Sequence, residues 1–442
     1  MKEYCVPILD NVQHLAVWGF GREGKAVYDF VRAERPDIAI TILNDTQLPD
    51  HPDVPVLTGT DVDVALADHR FDVVVKSPGI SRYREDIVAA RAAGQRFTTA
   101  TNLWFEHNTG APVIAVTGTK GKSSTARLIQ HILLNAGMDA KLYGNVGIAM
   151  LGELAGKDAT VLELSSYQVA DLVGAPQIGV ITSLYPEHAP WHHGTENYYR
   201  DKLRLLDVSP SLVGVCNFAN DRLRERVGTR QGLVWFNRHD GFYAEDEALF
   251  YAGAPVALHD FPLKGPHNYA NLAAAAAAVD AFGLQDMRHR IDLSGFTQLA
   301  HRLEEFVVGD ILCVNDSLCT VPEATEAALQ TYRDRPKVLI LGGTDRGQDY
   351  TTLVGRLAAS GVKTVLLLPV TGARILAALD QQSRPFEYLS VPDLETAVRE
   401  AFRRLVSGDV FLLSPAAPSY GQFRNYADRG DRFKALCREM GT

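Results

Sequence analysis

Along the chain, short runs of β-branched and aliphatic residues alternate with longer stretches whose apolar positions recur at helical spacing. The runs include "HLAVWGF", "IAITILND", "FDVVVKS", "VIAVTG", "ATVLELS", "QIGVITS", "LVGVCN", "ILCVNDS", "KVLILGG", "TVLLLPV" and "DVFLLSP". Strand followed by helix, repeated in this way, predicts an α/β protein with mostly parallel sheets covered by helices. The number of runs suits three sheets. Asn, Gly and Pro in "FEHNTGAP" break the pattern before a fresh strand and read as a linker. A second break lies near Phe296 to His301, after the alanine-rich helical stretch "NLAAAAAAVDAF". The predicted division is therefore 1–107, 108–299 and 300–442. The alanine run itself predicts a helix packed closely against a neighbour, because alanine favours helix and has no bulk.

Composition changes this picture little. The 442 residues exceed one ordinary core and suit roughly two to four domains. Apolar residues at 46% and charged residues at 22% allow sizeable cores. A net charge of −9 argues against nucleic acid as the partner. No apolar run approaches the ~18 residues of a membrane span, and "MKEYCVPILDN" lacks a signal-peptide core, so a cytoplasmic protein without a membrane partner is expected. The five cysteines are scattered without CxxC spacing, which supports neither a disulfide framework nor a zinc site.

Two glycine loops carry the candidate chemistry. In "AVWGFGREG", Gly19, Gly21 and Gly24 follow a strand and precede a helical stretch, and Asp45 ends the next strand. Glycines so placed let a backbone approach a pyrophosphate at a helix N-terminus, which keeps a nicotinamide-dependent oxidoreductase open as one reading. The second loop, in "VIAVTGTKGKSSTARLIQ", runs from Gly118 through Thr119, Lys120 and Gly121 to Lys122, Ser123 and Ser124. A strict Walker A motif has glycine at the position of Val116, yet the mechanics survive. Backbone N–H groups can cradle phosphate oxygens, Lys122 can reach the terminal phosphates, and the Ser123 hydroxyl can ligate Mg²⁺. An oxidoreductase needs no such loop, so two phosphate sites favour an ATP-driven reaction on a second, phosphate-bearing substrate.

With these motifs in hand, the chain resembles the Mur ligases, which build the peptide of the bacterial cell-wall precursor, in the branch that adds glutamate. The matching stretches span nearly the whole sequence: "TGTKGKSS", "SPGI", "GNVG", "ELSSYQ", "EH", "YRDKLRL", "GPHNYANLAAA", "AHRLE", "NDS", "LGG" and "LLSPAAPSYGQFRNYADRGDRF". Their order and spacing carry the resemblance. It implies an N-terminal Rossmann-like domain for the sugar nucleotide, a central P-loop-type ATPase domain and a C-terminal Rossmann-like domain for the amino acid. It also implies a monomer that uses ATP and Mg²⁺ to join glutamate to UDP-N-acetylmuramoyl-L-alanine through an acyl phosphate.

On this resemblance the first loop, with Gly19, Gly21, Arg22, Glu23 and Gly24, holds the uridine diphosphate rather than NAD, and Asp45, Thr46, Ser77, Gly79 and Asn145 lie nearby. The loop from Gly118 to Ser124 holds ATP together with Asn268, Asn271, Arg302 and Asp316. Arg302 and Asp316 lie beyond the second boundary, which implies that closure of the third domain completes the site. Ser123, Glu163 and His188 are implied metal ligands, joined by Lys202 when it carries a CO₂-derived carbamate. Lys122, His188 and Lys202 are the implied catalytic residues, while His192 and His193 receive no role.

The departures are informative. Enzymes of this family that add D-glutamate usually carry a lysine in the stretch after Asp-Ser, where this chain has Leu318, in the run Asp316-Ser317-Leu318-Cys319-Thr320-Val321. Leu318 cannot pair with a carboxylate, and an unpaired buried anion costs on the order of 3–5 kcal/mol. Arg346 is the candidate replacement, with Thr320, Ser419 and Tyr426 as further glutamate contacts. A pocket rebuilt in this way is what a change of stereochemistry requires, so L-glutamate is the expected substrate and D-glutamate the alternative.

Overall fold

The computed structural model describes residues 8–46, 53–108, 110–145, 150–153, 155–297, 300–345, 348–379 and 386–441. Residues 1–7 with Cys5, the second half of "GNVG", and Arg346 lie outside the described residues.

The architecture is mixed α/β, with three large sheets built mostly from parallel strands. In the first sheet the order is Val56–Thr58, Ala39–Asn44, His14–Trp18, Val73–Lys76, Phe97–Thr98, all parallel. In the second it is Leu233–Phe236, Val213–Asn217, Ile178–Ile181, Val113–Thr117, Ala159–Glu163, Ala140–Gly144, again all parallel. The third runs Glu304–Val308, Ile311–Asn315, Val410–Leu413, Lys337–Gly342, Val362–Leu368, Glu387–Ser390, with only the first strand antiparallel. Antiparallel strands Phe242–Glu245, Ala248–Tyr251 and Ala254–Pro255 form a small extra sheet that the run pattern did not signal, because these strands are short and partly exposed.

Contacts gather the chain into two compact units. One comprises residues up to Phe261 together with Tyr269–Ser294, and contains the first two large sheets. The other comprises Pro262–Asn268 and the chain from Gly295 onward, and contains the third. The strands are apolar because helices shield both faces: every residue of Val113–Thr117 and of Lys337–Gly342 is buried. Each aliphatic side chain so removed from water contributes about 1.5–3 kcal/mol. Ala273 to Ala278, in the helix Pro266–Phe282, are all buried, as the alanine run predicts. The four described cysteines are buried free thiols. Among the described residues no helix is long and apolar enough to cross a membrane.

Strand order decides where ligands can sit. The strand after His14–Trp18 lies on one side of it and Val73–Lys76 on the other, so a crevice opens beyond its C-terminal end, at Gly19. The same reversal around Val113–Thr117, between Ala159–Glu163 and Ile178–Ile181, opens a crevice at Gly118. Gly24 brings the helix Arg22–Glu34 against the first turn: a Cβ there would lie 2.0 Å from the Gly19 carbonyl oxygen.

Candidate active site

The second glycine loop is held from below by the segment that follows its neighbouring strand. Gly118 has φ 151°, and a Cβ on it would lie 1.9 Å from Thr182 Oγ1. Gly121 has φ 87°, and a Cβ on it would lie 2.4 Å from Asn271 Oδ1. Only glycines let the turn lie this close to its supports. Thr119 N–H donates to the Ser183 carbonyl at 2.9 Å, and Lys120 N–H to Ser183 Oγ at 2.8 Å. The Thr119 hydroxyl meets Tyr198 OH at 2.7 Å and accepts from Tyr185 N–H at 2.9 Å. The backbone donors of Thr119 and Lys120 thus brace the loop. The helix Lys122–Asn135, which opens with Lys122, Ser123 and Ser124, has no side-chain cap, leaving its N-terminal end as the anion cradle.

Three lysines converge on this turn. Lys122 Nζ donates to the carbonyls of Gly118 and Thr119 at 2.9 and 3.0 Å. Lys202 Nζ donates to the same Gly118 carbonyl at 3.0 Å and to Thr117 Oγ1 at 3.4 Å. Lys120 Nζ pairs with Glu187 at 3.0 Å. Lys202 is only 1% exposed. Burial first, and then the Lys122 charge, pull its pKa well below the ordinary lysine value. Burial would raise the Glu187 carboxyl, but Lys120, His188 and Lys122 together outweigh it and hold it down at about 2. His188 is lowered to about 4, chiefly by burial, with the lysines adding to it and Glu187 opposing. Its imidazole is therefore neutral at physiological pH, with a ring nitrogen fit to coordinate a metal.

Gly118, Lys122, Glu187, His188 and Lys202 line a cavity of about 240 Å³ together with Asn145 and Ser166. Glu23 and Pro78, from the turns of the first sheet, complete the wall. Glu163 ends its strand at 1% exposure. Its Oε1 accepts from Asn145 Nδ2 at 3.1 Å, while Oε2 is buried without a hydrogen-bond partner. A bare buried carboxylate oxygen, a hydroxyl at Ser123 and a neutral His188 are donor types that suit a hard divalent cation only if phosphate oxygens fill the remaining positions, and of the three His188 lines the cavity. Among the described residues, no three His, Cys, Asp or Glu side chains cluster as a metal site. His192 and His193, neighbours of His188 in sequence, are engaged elsewhere. His192 bonds Asp201 and Ser166, and His193 stacks on Tyr83 at 5.7 Å.

Around the first loop, the Ser77 hydroxyl donates to the Gly19 carbonyl at 2.8 Å, and the Gly79 carbonyl accepts from Trp191 Nε1 at 3.0 Å. Gly21 and Arg22 are exposed at the start of their helix. Glu23 accepts from Gln168 Nε2 at 3.0 Å, and burial raises its pKa. Arg84 clamps both oxygens of Asp45 at 2.9–3.0 Å, and Thr46 accepts from Asn44 through its carbonyl. The clamp engages Asp45 with a cation that sequence spacing did not reveal.

The second unit has its own cluster at the ends of Ile311–Asn315 and Val410–Leu413. Asp316 accepts from Ser414 Oγ at 2.7 Å and from Leu303 N–H at 3.3 Å. Burial pushes its pKa up to about 7, only partly offset by Ser414 and the Arg302 charge. The Thr320 carbonyl accepts from Gln348, Ser419 is buried, and half-exposed Tyr426 opens the helix Tyr426–Glu439 with its carbonyl bonded by Ser317. Asn268 donates to the Lys264 carbonyl at 2.8 Å. Arg429, which sequence reasoning did not single out, is fully buried. It donates to the Ser317 and Ala417 carbonyls at 2.9 and 3.0 Å, and its Nη1 has no partner.

Asp316 predicts a pH dependence of stability. Between about pH 4 and pH 7 the unfolded chain has lost this proton while the folded one keeps it, so stability falls as pH rises through that window. Three units correspond to about 4 kcal/mol, spent in full only above the folded value. Denaturant unfolding at pH 5 and pH 8 is expected to show Asp316→Asn gaining stability over the native chain at the higher pH and losing most of that advantage at the lower. An equal difference at both values would contradict the assignment.

Known proteins place this geometry in context. Residues 116–279 match the Mur ligase middle domain, and residues 301–417 the Mur ligase, glutamate ligase domain. The UDP-N-acetylmuramoyl-L-alanine--L-glutamate ligase of Xylella fastidiosa is 37% identical over 445 residues, covering 96% of this chain and 94% of its own. The protein of the same name from Salinispora tropica is 38% identical over 455 residues, covering 96% and 97%. The fold matches that of MurF ligase from Thermotoga maritima in complex with ADP, with TM-score 0.62 and 16% identity over 99% of this chain and 97% of that one. It also matches MurC of the same organism, with TM-score 0.60 and 17% identity over 97% and 99%. On the strength of the near full-length relatives, the chain belongs to the Mur ligase family.

Proposed function

We propose that the protein joins L-glutamate to UDP-N-acetylmuramoyl-L-alanine at the expense of ATP, in peptidoglycan precursor synthesis. The supporting observation is the cavity of about 240 Å³ lined both by Lys122 and Lys202 and by Glu23 and Pro78 from the turns of the first sheet, where the reacting ends of two phosphorylated substrates would meet. A carboxylate is a poor electrophile, so its oxygen first attacks the γ-phosphorus of ATP and ADP departs. The acyl phosphate so formed is then attacked by the amine of glutamate, the C–N bond forms, and inorganic phosphate leaves with the carboxylate's oxygen. Two anions approach in the first step, so the positive charge of Lys122 carries much of the catalysis. The uncapped helix end at Lys122 would hold the triphosphate, and Asn271 would steady Gly121 beneath it. Asn268, Arg302 and Asp316 would complete nucleotide binding. Glu163, Ser123 and His188 would hold Mg²⁺, which supplies charge neutralisation between nucleophile and leaving group.

The enantiomer rests on Leu318 and on the relatives, whose names specify L-glutamate. Without a lysine at that position, the amino-acid carboxylates need other partners. Arg346, Thr320, Ser419 and Tyr426 are proposed contacts, with Arg429 adding positive charge beneath Ser317 and Ala417. Phosphate release from ATP, with the alanyl sugar nucleotide and each glutamate enantiomer in parallel, tests this. Turnover with the L form alone is expected. Turnover with D-glutamate and none with L would establish the alternative.

A further inference from the structure

His192 takes no part in the phosphoryl chemistry, yet it is fully buried and bonded at both ring nitrogens. Nδ1 lies 2.6 Å from Asp201 Oδ2, and Nε2 lies 3.0 Å from Ser166 Oγ. Asp201 and Ser166 are each 4% exposed. Asp201 also accepts from the Tyr83 hydroxyl, at 2.8 and 2.9 Å to its two oxygens. Four side chains from four separate segments thus form one chain of hydrogen bonds. Its last member, Ser166, lines the cavity.

The direction of each bond follows from which groups can donate. A carboxylate offers only lone pairs, so the proton between His192 and Asp201 belongs to Nδ1. With a single ring proton, held at Nδ1, Nε2 has only a lone pair, and the Ser166 hydroxyl donates to it. That leaves Ser166 Oγ with only lone pairs to present to the cavity. A serine hydroxyl ordinarily rotates to suit its surroundings. Here, Asp201 acting through His192 removes that freedom. The backbone beneath is equally fixed, because Ser165 and Gln168 form a capping box at the start of the helix Ser166–Ala170.

We propose that Asp201 and His192 are positioning residues that hold Ser166 Oγ as a hydrogen-bond acceptor for an N–H donor of the acyl substrate. This rests on the reading above, in which the cavity receives an acyl chain whose carboxylate is activated. The N–H that suits this acceptor is the amide next to that carboxylate. Its capture would fix the rotation of the terminal residue and so the approach of the carboxylate to the phosphate. A serine paired with histidine and aspartate is also the arrangement that activates a nucleophile in hydrolases, so the test must separate the two roles.

Asp201→Asn keeps the shape but offers an amide N–H to Nδ1. This moves the ring proton to Nε2 and turns the Ser166 hydroxyl proton toward the cavity, where donor would face donor. The expected result is a rise of about tenfold in KM for the alanyl sugar nucleotide, with KM for ATP unchanged. Ser166→Ala is expected to raise the same KM by a similar factor, and the double variant S166A/D201N to be no worse than S166A alone. Additive effects would overturn the proposal, as would a Ser166-linked acyl group trapped during turnover. Should D201N fail to fold, nitrogen-labelled histidine in the native protein decides instead. The ring resonance that moves in S166A is expected to report a protonated Nδ1 and a bare Nε2, and the opposite tautomer would overturn the relay. A native protein that releases no phosphate with the alanyl sugar nucleotide would remove the underlying reading. An active native protein with indifferent variants would remove the relay alone.

Discussion

Lys122→Ala is expected to slow phosphate release in the presence of both co-substrates by about 1,000-fold, while leaving the thermal unfolding midpoint unchanged or slightly raised. The asymmetry follows from what Lys122 does in each state. With no triphosphate, its ammonium folds back on the Gly118 and Thr119 carbonyls, within reach of the same Gly118 oxygen that Lys202 uses. Lys202 keeps that acceptor when Lys122 is removed, so the substitution costs the folded chain little. When phosphates arrive, that ammonium can exchange two carbonyls for charged oxygens, and its attraction grows as negative charge gathers on the transferring group. Lys122→Arg is not expected to rescue, because a planar fork cannot replace a compact charge in so tight a turn. Steady-state kinetics with calorimetric melting checks both parts. Turnover within threefold of the native rate would remove the loop from the mechanism.

Lys202 carries the second large effect. It is a lysine with almost no exposure, beside Lys122, and its pKa is driven far down by burial and by that neighbour. A neutral amine is a nucleophile. Attack of its nitrogen on CO₂, with loss of a proton, gives a carbamate, exchanging a neutral amine for an anion beside Lys122. Such a group would join Glu163 and His188 as an oxygen donor for Mg²⁺. Lys202→Ala is expected to lower kcat by about 100- to 1,000-fold, with partial rescue by small added carboxylates. Native enzyme kept free of CO₂ is expected to lose activity and regain it with labelled bicarbonate, whose carbon then appears on Lys202. Full activity without CO₂, together with a large effect of Lys202→Ala, would show that the amine itself serves.

Particular residues show how far the sequence could be read. Gly24 was recognisable from spacing alone, since the strand, turn and helix it joins are adjacent in the chain. The same holds for Lys122 and the helix it opens. Ser183 was not recognisable: it braces Lys120 across 63 positions, only because Ile178–Ile181 pairs with Val113–Thr117. Arg84, which clamps Asp45, and Arg429, bonded to Ser317 across 112 positions, are likewise products of pairing. His192 and His193 are neighbours of one residue type, and nothing in their local pattern tells the buried, doubly bonded ring from the one stacked on Tyr83.

What could be known from the order of residues was whatever depends on near neighbours: alternating strands and helices, the two glycine turns and the basic loop, because backbone preference and apolar periodicity act over a few positions. The tertiary structure alone decided which carboxylate oxygen is left bare at Glu163, which lysine loses its water and which histidine meets Ser166. Those outcomes depend on burial and on partners brought together from distant segments, and neither exists until the sheets have paired and packed.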